Sequence, residues 1–138
     1  MINWYKFFMA GNATITIKNT KTGRHFTYNV KQSRWKDTWW VVLKQHQGPD
    51  LYIGSLTSKR FNITPKSVLG KNDVRWRGFN WVWWHLVYKR PLPEYVEIRH
   101  CNTCGRCGRE LTRPDSIDRG YGPMCAELLG LSEFAIPH

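Results

Sequence analysis

Acidic residues are scarce in this chain, and cysteine is absent from its first hundred residues. Ten Asp and Glu stand against 21 Lys and Arg among 138 residues, so the formal net charge is +11. No apolar run approaches the roughly 18 residues of a membrane-spanning helix, and the N-terminal segment lacks the basic and apolar regions of a signal peptide. These absences argue against an acidic mimic of DNA, a disulfide-stapled secreted domain and a membrane protein. We therefore expect a cytoplasmic protein.

The positive charge is confined to one part of the chain. Residues 1–88 hold 14 Lys and Arg against three acids, whereas residues 89–138 hold seven of each. A positive lobe attracts polyanions over about a Debye length. Nucleic acid, an acidic protein face or an anionic membrane surface are therefore the candidate partners, and nothing favours a membrane or a small-molecule substrate over the first two. Improved solubility is the plain alternative.

Four segments of the N-terminal part have the pattern of β-strands. Residues 13–18 and 25–31 alternate apolar and polar side chains, as half-buried strands do, and a turn containing Gly23 lies between them. Residues 39–43 and 51–56 are apolar segments of strand type. The sequence therefore predicts two hairpins in a meander of about four antiparallel strands.

From Asp73 the apolar spacing changes to that of a helix. Six large side chains recur mostly three or four residues apart: Val74, Trp76, Phe79, Val82, Trp83 and Leu86. Either Asn72 or Asp73 can cap the helix, and Pro91 can end it. Because Gly78 and the many aromatic residues lower helix propensity, this helix depends on packing against the sheet.

The chain divides at the short link formed by residues 91–93. Residues 1–90 form a basic α+β lobe, and residues 91–138 form a zinc-binding module that a strand over residues 95–99 leads into. The predicted fold class is therefore α+β, with an antiparallel meander packed on one aromatic-rich helix and followed by a small zinc-ribbon or zinc-knuckle module.

The cysteines have the spacing of metal ligands. Cys104 and Cys107 are separated by two residues and followed by glycine, which lets two thiolates converge on one tetrahedral ion. Cys125 follows a Gly-Pro turn and falls in the first turn of a short helix, where the helix dipole favours a thiolate. A structural zinc site needs a fourth ligand, and His100 and Cys101 are both close enough to supply it.

Three alternatives to a structural zinc ion use the same residues. Two disulfides would need an oxidising compartment, and a redox pair would need a thioredoxin-like βαβ pattern. An open catalytic zinc would need a general base nearby. Glu110, Asp115 and Asp118 have the character of solvated loop charges, so the sequence favours structural Zn²⁺.

Residues 100–126 resemble a small zinc-ribbon domain family of unknown function that is common in bacteriophage and mobile-element proteins. The positions that match its pattern are His100, Cys104, Cys107, Gly108, Arg109, Leu111, Pro114, Ser116, Ile117, Gly120, Gly122, Pro123 and Cys125. The resemblance implies that His100 is the fourth ligand, and Cys101 is a departure from the pattern. The order of strands, aromatic helix and ribbon also looks like whole members of that phage group.

Aromatic and basic residues are interleaved in several segments, as they are in single-stranded nucleic-acid binders and protein-interface hot spots. The candidate binding residues are Trp35, Lys59, Arg60, Arg75, Arg77, Trp81 and Trp84. Trp81 and Trp84 lie off the apolar stripe of the predicted helix, so we expect one of them to be exposed or to cover a second surface. The plain alternative is that most tryptophans fill the core and the cations are solvated.

No motif for catalysis is found: there is no Gly-rich phosphate loop, nucleophile elbow or pair of carboxylates at useful spacing. We therefore expect a non-catalytic binding protein of a phage or mobile element that acts on host nucleic-acid machinery in the host cytoplasm. Its most specific form is an anti-CRISPR inhibitor of a Cas nuclease such as Cas9, which rests on the phage resemblance. The alternative is a small regulator that binds nucleic acid directly.

Overall fold

A six-stranded antiparallel sheet organises the chain, and the computed structural model describes residues 2–131 of it. The strands are β1 (Asn12–Asn19), β2 (His25–Gln32), β3 (Trp39–Lys44), β4 (Leu51–Leu56), β5 (Phe61–Asn62) and β6 (Val96–His100). Their order across the sheet is β5-β4-β3-β2-β1-β6. The predicted meander is confirmed, and it is longer than expected because β5 extends it.

The described residues also form four helices: α1 (Trp4–Phe8), α2 (Val74–Val87), α3 (Pro114–Arg119) and α4 (Pro123–Leu128). The α+β class is therefore confirmed. No helix within residues 2–131 has the length and apolar character needed to cross a membrane. The predicted end of α2 at Pro91 is wrong, because Lys89 takes a left-handed conformation (φ 54°) and the helix ends at Val87.

Three polar aromatic side chains tie the helices to the sheet. The Tyr28 hydroxyl donates to the carbonyl of Arg75 at 2.6 Å, and Trp76 Nε1 donates to Ile53 O at 3.0 Å. Trp39 Nε1 donates to the carbonyl of Met9 just after α1. Each side chain buries its ring and satisfies its polar atom, which fixes where α1 and α2 lie on the sheet.

The tryptophans are divided between the core and the surface. Trp39, Trp76 and Trp83 are buried, whereas Trp35, Trp40, Trp81 and Trp84 are exposed. Fewer tryptophans are therefore buried than expected, because α2 carries rings on its outer face as well as on the face that packs on the sheet. Trp83 stacks on Tyr5 and Phe8 on the inner side. Both Trp81 and Trp84 remain available on the outer side.

Gly78 lies in the middle of α2 without a packing reason. A methyl group added at its Cα would meet no atom within 4 Å, and its backbone has ordinary helical conformation. Glycine inside a helix costs about 1 kcal/mol relative to alanine. The fold therefore accepts a local cost at this position that packing does not explain.

Asp73 caps α2, and its replacement should destabilise the protein. Its carboxylate accepts the Arg75 backbone N–H at 2.9 Å and the Arg75 guanidinium at 2.9 and 3.0 Å. We expect Asp73→Ala to lower the free energy of unfolding by about 1 kcal/mol, the usual value of an N-cap. Urea denaturation at neutral pH measures this change.

The same carboxylate makes stability depend on pH. Hydrogen bonds from Arg75 lower the pKa of Asp73 below its ordinary value of 3.8 against the opposing effect of burial. Its contribution is therefore complete above about 3.8 and is lost as the pH falls through the lower folded-state pKa. Asp73→Asn keeps a capping oxygen but removes this titration. If stability fell at low pH in this variant as steeply as in the wild type, Asp73 would not be the group responsible.

Candidate metal centre and basic surface

Three cysteine thiols converge in the C-terminal part of the chain. The Sγ atoms of Cys104, Cys107 and Cys125 all lie within 4.8 Å of one another. When sulfur atoms bind one tetrahedral zinc ion at a Zn–S distance of about 2.3 Å, the sulfur atoms are about 3.8 Å from one another. The cluster is therefore close enough to hold a metal ion, and none of the four cysteines is in a disulfide.

A tight turn brings Cys104 and Cys107 together. The Cys104 N–H donates to Arg109 O at 2.7 Å, and the Gly108 N–H donates to Cys104 O at 2.8 Å. Gly108 has φ 79°, which glycine adopts at low cost. Thr103 and Glu110 pair antiparallel just outside the turn. The Cys-x-x-Cys-Gly spacing thus produces a tight turn, called the knuckle below, that brings two of the three clustered thiols together.

The backbone around Cys104 favours its thiolate. Burial raises the pKa of this thiol, but the backbone N–H groups of Cys107, Gly122 and Arg106 together lower it below its ordinary value. Backbone donors facing a sulfur also stabilise a metal-bound thiolate. Cys104 is therefore the thiol best prepared to bind a cation.

Cys125 lies in the first turn of α4, which begins at Pro123 as predicted. Burial raises the pKa of this thiol, and the Arg106 guanidinium, whose Nη1 lies 3.5 Å from Cys125 Sγ, acts against that rise. Three thiolates on a divalent cation carry a net negative charge. Arg106 is placed to offset that charge.

The structure does not bring His100 or Cys101 into the cluster. His100 Nε2 lies 2.5 Å from Ile117 O, and its Nδ1 accepts the Asn102 N–H at 3.0 Å. A neutral ring with its proton on Nε2 satisfies both bonds, so neither nitrogen has a free lone pair in this conformation. Cys101 Sγ lies 3.5 Å from Thr16 Oγ1 and is exposed. The identity of the fourth ligand stays a prediction.

Phe7 of α1 joins the metal centre to the rest of the fold. It is fully buried, and its ring faces Gly105 beside the knuckle and Gly120 before α4. A methyl group at Gly105 would collide with the ring, and one at Gly120 would lie 2.9 Å from it. Tyr121 packs against the same ring at 5.4 Å. The two glycines therefore form a slot that the Phe7 ring fills, with Ile2 also against Gly120.

The sheet is shared between the two predicted parts of the chain. Strand β6 belongs to the predicted 91–138 module, yet it pairs with β1 from Ile15 opposite His100 to Asn19 opposite Val96. The Asn12 N–H also donates to Gly105 O at 2.9 Å. The division at residue 90 stays a prediction.

Some of the predicted binding residues form one surface on the outer side of α2. Arg77, Trp81 and Trp84 line one depression, and Arg77 also lines the neighbouring depression together with Arg60 and Lys71. These five residues are called the α2 surface below. Within the part of the chain that the structure describes, no acidic side chain lines either depression. The structure therefore places these four predicted residues near one another, and their role in binding stays a prediction.

The remaining predicted binding residues lie elsewhere or have other partners. Arg75 is paired with Asp73 and lines a different depression, beside His25 and His46. Trp35 is exposed in the loop between β2 and β3, with the Arg34 guanidinium 5.0 Å from its ring. Lys59 stands next to Arg60 in the turn before β5 but lines neither depression.

Residues 98–130 match a family of unknown function (DUF6011), and the match covers about a quarter of the chain. It includes the three clustered cysteines, His100 and Cys101. The resemblance drawn from the sequence is thereby confirmed as a family of unknown function. No curated protein and no solved structure matches the chain.

Proposed function

We propose that this chain is a non-catalytic protein that binds single-stranded nucleic acid through the α2 surface, while a structural zinc ion on the three cysteines stabilises its C-terminal part. The observation that carries the proposal is the placement of exposed rings between cations. Trp81 and Trp84 are 38% and 48% exposed. Arg77 lies with both rings in one depression and with Arg60 and Lys71 in the next.

This arrangement suits the two parts of a single strand. Bases stack on aromatic side chains with a gain of about 1–3 kcal/mol each, and phosphates pair with the cations beside them. Trp84 also packs against Tyr88 at 5.1 Å, and Tyr88 is itself exposed. The rings therefore extend along the helix and offer more than one position for stacking.

Loss of one ring should weaken binding strongly. We expect Trp84→Ala to lower the affinity for a fluorescent single-stranded oligonucleotide by roughly 5- to 100-fold, as removal of one stacked base does. Arg77→Ala should reduce the slope of log affinity against log salt by about 0.7, the value for one phosphate contact on a single strand. Fluorescence anisotropy in a salt series measures both changes.

The chain offers a matched control for these variants. Trp40 is 37% exposed, nearly the same as Trp81, but it points away from the helices on the outer side of β3. Trp40→Ala should bind as the wild type does, whereas Trp81→Ala should not. Non-specific nucleic-acid binding usually has a dissociation constant of about 100 µM or below. No detectable binding by the wild type at a protein concentration of about 100 µM would therefore contradict the proposed function. Equal loss in Trp40→Ala would contradict the assigned surface.

The finer form of this proposal is inhibition of a Cas nuclease such as Cas9 by a phage-encoded protein. Its support is the resemblance of residues 100–126 to a family common in bacteriophages, together with the net charge of +11. A basic protein would act on the bound nucleic acid or on an acidic face of the nuclease. Target cleavage by guide-loaded Cas9, with and without this chain, tests this form separately from oligonucleotide binding.

A further inference from the structure

Two depressions border α2 on either side of Gly78, and together they are called the groove below. One depression, with a volume of about 360 Å³, lies between α2 and the strands β1, β2 and β6. The other lies on the outer side of the helix beside Trp84. Val74, Gly78 and Trp81 line both depressions, so the two meet where the helix has no side chain.

The missing side chain at Gly78 has no explanation in the fold. Its backbone is helical and nothing lies within 4 Å of the place a Cβ would take, so neither conformation nor packing requires glycine. Alanine would strengthen the helix. What glycine does provide is open space at the border that the two depressions share with Trp81.

The sheet-side depression has the chemistry of a base site. Phe26, Tyr95 and Trp81 supply aromatic walls, and the exposed cations Lys18 and Arg24 lie at its border. Its size falls within the range of small-ligand sites. None of the described residues that line it is acidic. A flat, uncharged base could therefore stack on the aromatic walls of this depression, and the phosphates beside that base would meet the cations at its border.

We propose that this groove takes one unstacked base of the strand that the α2 surface binds, with Lys18 and Arg24 contacting the adjacent phosphates. This inference rests on the proposed function and adds the sheet-side depression, of whose lining only Trp81 belongs to the α2 surface. The strand would pass from the cations around Arg77, across Gly78, to the turn between β1 and β2. Lys21, whose Nζ lies 4.4 Å from the centre of the Tyr95 ring, adds positive charge at that end.

Gly78→Ala tests the groove directly because it should strengthen the fold and weaken binding. We expect affinity for a labelled thymidine oligomer of about 12 nucleotides to fall roughly tenfold, the effect of one lost base stack. An abasic oligomer of the same length has no bases to stack, so it should bind the wild type and Gly78→Ala with equal affinity. The melting temperature should rise by about 2–4 °C. Anisotropy titrations and thermal denaturation measure these changes.

Gly70→Ala is the matched control, since Gly70 is exposed, also has open space at its Cβ, and does not line the groove. It should bind the thymidine oligomer as the wild type does. Arg24→Ala provides a second variant on the exposed turn, and it should reduce the salt slope by about 0.7.

The outcomes separate this inference from the proposed function. If Trp84→Ala weakens binding but Gly78→Ala and Arg24→Ala do not, the groove is not a base site and the α2 surface stands. If the wild type binds neither oligomer, both ideas fail. If a glutamate-rich peptide competes with the thymidine oligomer at equal concentration, the groove takes an acidic protein segment and the base assignment is overturned.

Discussion

If the three cysteines hold the proposed zinc ion, Cys125→Ser should remove it and unfold the C-terminal part of the chain. We expect the metal content to fall from one ion per chain to below about a tenth, because structural zinc sites contribute on the order of 10–16 kcal/mol to the folding of small domains. Cys125 is one of three clustered thiols and is buried. Another side chain or a water molecule therefore cannot easily take its place as a ligand. Elemental analysis of the purified protein and its melting temperature measure the loss.

Cys101→Ser is the control for that substitution. Cys101 is exposed, lies outside the cluster, and differs from Cys125 by position and not by chemistry. It should keep its metal and its melting temperature. Retention of both by Cys125→Ser would contradict the metal centre, and metal loss in Cys101→Ser would make Cys101 the fourth ligand.

Phe7→Ala should destabilise the whole protein by about 3–5 kcal/mol, the usual cost of removing a buried phenylalanine. The ring projects from α1 into the glycine slot of the metal centre and is fully buried. Because Gly105 and Gly120 have no side chains, neither can move into the space that the ring leaves. Urea denaturation followed by far-ultraviolet circular dichroism measures the change in the free energy of unfolding.

Two further variants test whether packing in the glycine slot causes the loss of stability expected for Phe7→Ala. Gly105→Ala places a methyl group against the Phe7 ring and should cost about 1–3 kcal/mol through overpacking. Trp35→Ala removes a larger ring that is 58% exposed and should change stability by less than about 0.5 kcal/mol. A Phe7→Ala protein as stable as Trp35→Ala would show that the metal centre does not depend on this contact.

The features that were predicted correctly have local causes. The strands β1 to β4 begin and end within one residue of their predicted bounds, because alternation along a strand is recorded in neighbouring residues. The cysteine cluster follows from a two-residue spacing and a Gly-Pro turn. The α2 cap at Asp73 was one of two predicted caps, and its carboxylate makes the bond that such a cap requires.

The features that were missed depend on contacts between distant residues. Pairing of β6 with β1 joins residues about 80 positions apart, and no pattern in either segment specifies that partner. The five-residue helix α1 is too short to show a helical period, so Phe7 gave no sign that it fills the glycine slot. His100 fits the metal pattern of the resembling family, yet its bonds to Asn102 and Ile117 are visible only in three dimensions.

The basic surface was predicted in part. Arg60, Arg77, Trp81 and Trp84 were named from composition, and the helix period correctly placed the two tryptophans off the buried stripe. Arg24 and Tyr95 were not named, because they come from the β1–β2 turn and the segment before β6. They reach the same groove only through the pairing of β1 with β6.

The position of β6 has a consequence for how the chain is made. Until residues 96–100 have left the ribosome, β1 has a partner on one side only, and its other side is an open edge of unpaired N–H and C=O groups. Such an edge can recruit a strand from another molecule, so a chain truncated before β6 should aggregate. Because Cys104 and Cys107 follow β6 closely, a metal ion bound to them would hold the closing strand in place.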